Sequence, residues 1–234
     1  MYYKLSNTAK RERIEKQFEV SFKYPNLYRP EIVINGLHEA TLPILTNQRP
    51  DIVSLAIWGM LPDNFEDDWL SFQEVTNTLN IDEKFLEDES WYSTAFKQHR
   101  CLIIVTGFFT NYLQNGVVFP YYVGFADNRP FHIAGIYNTL NDGFLSCSLL
   151  TGSVNTYVKQ FQNLGNTMPI VIPDNYKQLW LENDIDLEGL RKINGSSESV
   201  GLKANPVARD FFKNNISYDS MLNPVDYPDI PKDI

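Results

Sequence analysis

Cysteines and histidines are the side chains best suited to nucleophilic or metal chemistry in this chain, and their spacing favours neither. The 234 residues include two cysteines, Cys101 and Cys147, each inside an apolar run. The three histidines, His38, His99 and His132, are scattered along the sequence. A zinc site needs clustered ligands. We therefore expect two buried, reduced thiols, no metal site and no cofactor.

Net charge and hydropathy limit the partners of the chain. The formal net charge is -9 and the pI about 4.8, which argues against a generic nucleic-acid-binding surface but leaves room for a local basic groove. No apolar run is long enough for a transmembrane helix. A charged stretch, residues 10–13, stands where a signal peptide would have its apolar core. We expect a cytoplasmic protein without a membrane partner.

A series of short motifs runs along almost the whole chain. They lie at residues 58–62, 100–102, 107–111, 120–121, 134–137, 151–155, 168–169, 180–181 and 205–207. In this order and spacing they resemble the SRAP family of SOS-response-associated peptidases, which handle abasic sites in single-stranded DNA. The resemblance implies an SRAP-like fold and a protein associated with the DNA damage response.

The resemblance also identifies the positions of the family's catalytic residues. The family uses a cysteine at the second position, whose thiol and free α-amine form a ring with the abasic-site aldehyde after the initiator methionine is removed. That position is Tyr2 here, and its bulk predicts that Met1 is retained. The family's glutamate corresponds to Thr110. Its histidine corresponds to Gln162, or to Gly165 if the count is made backwards from the 168–169 motif.

None of these replacements keeps the family's chemistry. Tyr2 has no thiol, and its phenol is mostly protonated at neutral pH. Thr110 can hold a hydrogen bond but cannot exchange a proton near neutral pH, and neither Gln162 nor Gly165 is a general acid or base. We therefore expect a divergent, catalytically impaired SRAP-like protein.

Residues matching the family's DNA-contact positions survive only in part. Asn80, Thr151 and Asn155 match family positions near the site, and Lys4 stands where the family often has a basic residue. These four are candidate contacts to single-stranded DNA. A helix cap or turn explains Asn155 equally well, and a solvated surface position is the better explanation for Lys4.

The resemblance implies that the family's phosphate-contacting arginine corresponds to Asp82 here, and that the arginine of its Arg-Met-Pro motif corresponds to Thr167. Each lost phosphate contact weakens DNA affinity and reduces its salt dependence. Any binding of single-stranded DNA should therefore be weak.

Two other functions are compatible with the sequence. The first is an abasic-site lyase or autopeptidase that uses the α-amine of Met1, whose pKa of about 8 leaves a neutral fraction able to form a Schiff base. The second is a non-DNA interaction module, in which the acidic stretches 66–68 and 87–89 bind a basic partner. Such charge runs are usually only solvated surface.

The elements that position these residues follow no regular alternation. A helix is predicted over about residues 8–19, capped within residues 6–8 and burying Ile14 and Phe18. A second helix should be capped by Asp174 and carry Trp180. Strands are predicted at 31–35, 52–58, 101–109, 119–125, 132–137, 144–150 and 169–172. The run 101–109 is typical of a strand buried on both faces.

The remaining segments complete a single domain. Short helices and loops are predicted over 63–91, a helical stretch over 155–164 and a flexible loop over 193–199. The fold class is α+β, with a mainly antiparallel sheet or barrel-like core and peripheral helices. The domain is expected to span residues 1–234, and its prolines predict an extended C-terminal tail over 223–234.

Overall fold

Secondary structure covers most of the chain. The computed structural model describes residues 2–87, 90–182, 185–213 and 217–231. The described α-helices are α1 (Arg11–Phe18), α2 (Trp69–Val75), α3 (Trp91–Gln98), α4 (Lys177–Leu181) and α5 (Leu187–Ser196). Short 3₁₀ helices lie at Glu83–Leu86, Val158–Phe161, Asp174–Tyr176, Ser197–Ser199, Arg209–Phe212 and Asp219–Leu222.

The strands pair mainly in antiparallel fashion, which confirms the α+β class. They are β1 (Lys4–Asn7), β2 (Ser21–Phe22), β3 (Glu31–Asn35), β4 (Thr41–Thr46), β5 (Arg49–Trp58), β6 (Asn80–Asp82), β7 (Arg100–Val105), β8 (Gly107–Gln114), β9 (Val117–Gly124), β10 (Phe131–Thr139), β11 (Leu145–Ser153), β12 (Thr167–Pro169), β13 (Val171–Ile172) and β14 (Lys203–Pro206).

Five strands close into a ring, as the prediction of a barrel-like core requires. Antiparallel pairing runs from β5 through β4, β7 and β10 to β11. Parallel pairing of β11 with β5, from Leu145 opposite Ala56 to Cys147 opposite Trp58, completes the circuit. The short strands β2, β6, β12 and β13 extend the edges of this barrel.

Side chains of the barrel strands point alternately into and out of the barrel, and they form an inner and an outer core. On β7, Cys101, Ile103 and Val105 belong to the inner core, whereas Leu102 and Ile104 belong to the outer core. Four helices, α1, α3, α4 and α5, contribute buried residues to the outer core. Because successive side chains of a strand point to opposite faces, a continuous apolar run is needed wherever both faces are covered. The prediction of burial on both faces is confirmed for β7.

The expected single strand over 101–109 is wrong in its extent. Strand β7 ends at Val105, the amide of Thr106 donates to the carbonyl oxygen of Ser6 at 2.8 Å, and the chain then enters a second sheet as β8. That sheet has the order β14-β9-β8-β1-β3. The crossing requires a glycine, because a Cβ atom at Gly107 would lie 2.2 Å from the ring of Tyr122. The second sheet packs Leu5 and Phe108 into the inner core.

Helix α1 differs from its predicted start. It begins at Arg11 after Lys10, which makes no side-chain cap, because residues 6 and 7 belong to β1 and are paired with neighbouring strands. The predicted burial of Ile14 and Phe18 is confirmed. Asp174 does not cap α4 but starts a 3₁₀ turn that precedes it.

Two other segments depart from the prediction. Residues 193–199 are the end of α5 and a 3₁₀ turn rather than a loop, because Ile193 is buried in the outer core. The stretch 155–164 contains only a 3₁₀ turn. The tail is anchored, since Ile230 is buried and the Tyr121 hydroxyl donates to the carbonyl oxygen of Pro231 at 2.6 Å. Residues 232–234 lie outside the described part of the chain.

Candidate functional site

The residues predicted to occupy the family's catalytic positions line one small cleft between the second sheet and the barrel. Its volume is about 90 Å³. Its lining consists of Tyr2, Phe109, Thr110, Asn111, Gln162, Leu164, Gly165 and Thr167. The structure therefore brings together the three residues that correspond to the cysteine, the glutamate and the histidine, together with the alternative histidine position. We call this the Tyr2 cleft.

Tyr2 fills the inner wall of its cleft. Its side chain is buried, and its ring meets Phe108 edge to face, with centroids 5.8 Å apart. The hydroxyl donates to Gln162 Oε1 at 2.5 Å, and the carbonyl oxygen of Thr167 lies 2.9 Å away. Burial raises the pKa of the Tyr2 phenol well above its ordinary value, and the hydrogen bond to Gln162 only partly offsets this. The phenol is therefore a protonated donor rather than a nucleophile.

Asn80 fixes the backbone of position 2. Its Oδ1 accepts from the Tyr2 amide at 2.9 Å, and its Nδ2 donates to the Tyr2 carbonyl oxygen at 2.6 Å. Asn80 opens β6, which pairs in parallel with β11. This strand was not predicted, because three residues are too short to show a period. Met1 lies outside the described residues.

The other two catalytic positions form internal hydrogen bonds. Gln162 Nε2 donates to the carbonyl oxygens of Gly165 at 3.0 Å and Thr167 at 2.8 Å. The hydroxyl of Thr110 donates to the carbonyl oxygen of Phe161 at 3.1 Å. Gln162 is thus the position whose side chain faces Tyr2, whereas Gly165 contributes backbone alone. The arrangement holds protons in place and contains no group that would exchange them near neutral pH.

The remaining candidate residues do not line the cleft. Lys4 is buried, and its Nζ donates to the carbonyl oxygen of Phe211 at 2.5 Å. The same nitrogen lies 4.3 Å from the centroid of the Phe211 ring. Burial lowers the pKa of the Lys4 ammonium group. The expectation of a solvated lysine is therefore wrong. Asn155 Oδ1 accepts from the amide of Val158 at 2.8 Å, as a turn cap does. Thr151 is a buried residue of β11, opposite Pro169 on β12.

Charge and size distinguish the Tyr2 cleft from a phosphate site. None of its described lining residues is charged. Asp82, at one lost arginine position, pairs with Lys84 at 3.2 Å and accepts from the amide of that residue at 3.1 Å. The volume is far below the roughly 300 Å³ at which ordinary small-molecule sites begin. The cleft is therefore smaller than an ordinary ligand site, and its described lining offers no cation to a phosphate.

Sequence reasoning missed part of the lining. Phe109, Asn111 and Leu164 were not selected, although Phe109 and Asn111 flank Thr110 in the 107–111 motif. Asn111 Oδ1 is buried without a hydrogen-bond partner among the described residues. Its place next to Thr110 was the signal that could have identified it.

The acidic stretches have structural roles where they are described. Asp68 caps α2 by accepting from the amide of Ser71 at 2.9 Å, and Glu87 forms a salt bridge with Arg191. Asp88 and Glu89, which belong to the second stretch, lie outside the described residues.

Other chemistry receives no support from the described part of the chain. Cys101 and Cys147 are buried and free, as expected, and burial raises the pKa of both thiols. No cluster of three or more potential metal ligands occurs among residues 2–87, 90–182, 185–213 and 217–231. No helix within those ranges is both long and apolar enough to cross a bilayer.

Comparison with solved structures establishes the fold. A crystal structure of a protein from Bacteroides thetaiotaomicron matches with a TM-score of 0.80 at 20% identity, covering 95% of this chain and 99% of that one. A protein from Bordetella bronchiseptica matches with a TM-score of 0.71 at 18% identity, covering 88% and 99%. A phage-related protein from the same organism matches with a TM-score of 0.59 at 16% identity, covering 88% and 94%.

Comparison with family models establishes the family. No curated protein matches the chain at a significant level. The model of the SOS response associated peptidase family, SRAP, matches residues 1–214. That range includes every residue of the Tyr2 cleft. The chain therefore belongs to the SRAP family.

Proposed function

We propose that this chain is a non-catalytic SRAP protein of the DNA damage response, which binds single-stranded DNA weakly and without a covalent bond. The observation that carries the proposal is the buried Tyr2 hydroxyl, hydrogen-bonded to Gln162 at the position of the family's nucleophile. A protonated phenol in a cleft of only about 90 Å³ offers an aldehyde no thiolate and little room.

The nitrogen of position 2 supports the same proposal. In the family this nitrogen is a free amine that takes part in ring formation. Here the Tyr2 nitrogen donates to Asn80 Oδ1 at 2.9 Å and, with Met1 retained, is a peptide nitrogen without basicity. Position 2 therefore supplies neither the thiol nor the free amine that would close the ring.

Binding of DNA would depend on few charged contacts. Lys4 is engaged by Phe211, and Asp82 and Thr167 replace the two arginines. For single strands, log K falls with log salt in proportion to the number of neutralised phosphates, by about 0.7 for each. We expect a slope no steeper than about -2, which corresponds to about three phosphates.

A denaturing gel tests the loss of covalent chemistry. Wild-type protein incubated with an abasic single-stranded oligonucleotide should give no heat-stable adduct. The triple variant Tyr2→Cys, Thr110→Glu, Gln162→His should give one, and a matched triple variant with Tyr2→Ser should not. Intact mass reports whether Met1 is present in each. A heat-stable adduct with the wild-type protein would refute the proposal.

Borohydride trapping addresses the α-amine of Met1. Trapping of the wild-type protein on abasic DNA, abolished by N-terminal acetylation, would replace the proposal with a lyase. Absence of trapping at mildly acidic, neutral and mildly basic pH supports the proposal.

Gel-shift titrations with intact and abasic strands test the binding itself. Equal, weak, salt-sensitive shifts are expected with both strands. Absence of any shift at 50 mM salt would overturn the DNA-binding part of the proposal, because electrostatic attraction is strongest at low salt.

A further inference from the structure

A second cavity shares no lining residue with the Tyr2 cleft. Its volume is about 430 Å³. It is formed where α1 and α4 face the barrel strands β4, β5 and β7, and we call it the outer cavity. A cavity of about 150 Å³ holds a benzene molecule, and ordinary ligand sites begin near 300 Å³. The outer cavity is therefore large enough for a ligand that the Tyr2 cleft would reject.

The wall of the outer cavity is apolar. Its main apolar residues are Phe18, Val20, Leu45, Leu102 and Leu181. Leu45 and Leu102 are outer-core residues of β4 and β7, and most of that face is covered by helices. Between α1 and α4 the cover is incomplete. An apolar chain placed there would remove remaining apolar surface from water, at about 25 cal/mol for each Å².

The rim carries one cation. Lys177 Nζ lies 4.9 Å from the ring centroid of Phe18, and no carboxylate oxygen of the described residues lies within 4.0 Å of it. An ammonium group beside an apolar wall is available to a ligand anion. Gln178 on the same rim adds an amide group that can donate a further hydrogen bond.

Two acidic side chains limit the charge of that anion. Asp174 and Glu182 also lie on the rim. They would repel a doubly charged phosphate more strongly than a singly charged carboxylate. The buried His132, whose ring packs against Phe18 with centroids 4.1 Å apart, is held neutral by burial, which lowers its pKa. Lys177 is therefore the cation that a carboxylate would meet.

We propose that the outer cavity binds an amphipathic monocarboxylate, whose aliphatic or aromatic body fills the apolar wall and whose carboxylate pairs with Lys177. This site is separate from the Tyr2 cleft and does not depend on DNA binding. It is an affinity site, with no covalent step.

Calorimetric titration with ten-carbon probes tests the class of ligand. Decanoate, decan-1-ol and decyltrimethylammonium are added below their micelle concentrations to the full-length protein. Decanoate should bind one site per chain at least about tenfold more tightly than the other two, which is the discrimination expected of one charged hydrogen bond. No saturable binding of decanoate, or tighter binding of the ammonium probe, would overturn the proposal.

Two variants locate the site. Lys177→Met keeps the apolar stem and removes the charge, and it should weaken decanoate binding about tenfold while leaving decan-1-ol unchanged. Lys192→Met, at an exposed position on α5, is the matched control and should bind like the wild type. Leu181→Trp places a larger ring at a half-buried wall position and should abolish binding of both probes.

Folding and self-association are checked on the same samples. Unfolding temperature shows that each variant is folded, and two-dimensional amide spectra should place the decanoate-induced shifts on α1, α4 and β4. Equal weakening by the two lysine variants would overturn the assignment to Lys177. Sedimentation at the titration concentrations should give the same monomer mass with and without decanoate. A dimer that decanoate dissociates would identify a second copy of the chain as the occupant and overturn the proposal.

Discussion

The Tyr2 cleft and the outer cavity share no lining residue and differ in size, polarity and charge. The cleft has about 90 Å³, and its polar groups largely bond to one another. The outer cavity has about 430 Å³, an apolar wall and an ammonium group without a carboxylate partner among the described residues. The place where a family keeps its catalytic residues is thus not the place where this chain has room for a ligand.

The difference has a structural cause. The second sheet lies against the barrel and inserts Leu5 and Phe108 into the inner core, so one bulky residue at position 2 is enough to close the remaining space. On the outer core, α1 ends at Phe18 with Glu19 in the left-handed conformation, and α4 is only five residues long. These short helices leave part of the barrel surface uncovered.

Breaking the sheet crossing should have the largest effect, because it separates the two walls of the Tyr2 cleft. Gly107→Ala places a Cβ atom 2.2 Å from the ring of Tyr122, and backbone and ring must both move. We expect a loss of about 3 kcal/mol in the free energy of unfolding, measured by urea denaturation. The control is Gly195→Ala on α5, where an added Cβ atom would have no other atom within 4 Å. Because alanine favours a helix over glycine, this variant should be more stable by up to about 1 kcal/mol. Equal stability of the two variants would show that the crossing tolerates a side chain.

Opening the cleft should have the next largest effect. Tyr2→Leu removes the ring that packs on Phe108 and the hydrogen bond to Gln162, while its bulk keeps Met1 in place. We expect a loss of about 2 kcal/mol in the free energy of unfolding. Decanoate affinity should stay unchanged, since Tyr2 does not line the outer cavity and the two pockets share no lining residue. A change in that affinity would show that the two regions are coupled.

Motif order was enough to predict that Tyr2, Thr110 and Gln162 belong to one site, because a shared fold brings shared positions together. It could not predict how small the cleft is, since its size depends on distances such as that between the Tyr2 hydroxyl and Gln162. The apolar run starting at Cys101 was identified from the sequence, but its division into the two strands β7 and β8 was not. Thr106 and Gly107 separate these strands without a turn signature. The outer cavity lies where α1 ends and where the short helix α4 leaves the barrel uncovered, and no local sequence pattern predicts either feature.

The outer core should make the stability of the protein depend on pH in the acidic range. Both ring nitrogens of His132 are buried without a partner among the described residues, and burial lowers the pKa of this histidine well below its ordinary value. The unfolded chain takes up a proton near pH 6.5 and the folded chain does not, so stability is lost as the pH falls below that value.

We expect the wild-type free energy of unfolding to fall between pH 7.5 and pH 5.5 by about 1.4 kcal/mol more than that of His132→Leu. Urea titrations of both proteins across that range measure the difference. His99→Leu, at a half-buried histidine, serves as the matched control for the loss of an imidazole ring. Parallel curves for wild type and His132→Leu would contradict a neutral buried histidine.

The smallest effect isolates the hydrogen bond that closes the Tyr2 cleft. Tyr2→Phe keeps the ring on Phe108 and removes the hydroxyl that donates to Gln162, so we expect a loss of about 1 kcal/mol at pH 7. Gln162→Met and the double variant complete a cycle whose coupling energy should be about 1 kcal/mol.

The pH dependence of the same variant has a definite sign. Burial raises the pKa of Tyr2 above the value of about 10 in the unfolded chain, so its contribution to stability is present below pH 10 and is lost as the pH rises further. The wild type should therefore lose stability above pH 10 more steeply than Tyr2→Phe. Zero coupling in the cycle, together with identical alkaline slopes, would mean that the ring alone closes the cleft and that the hydroxyl contributes nothing.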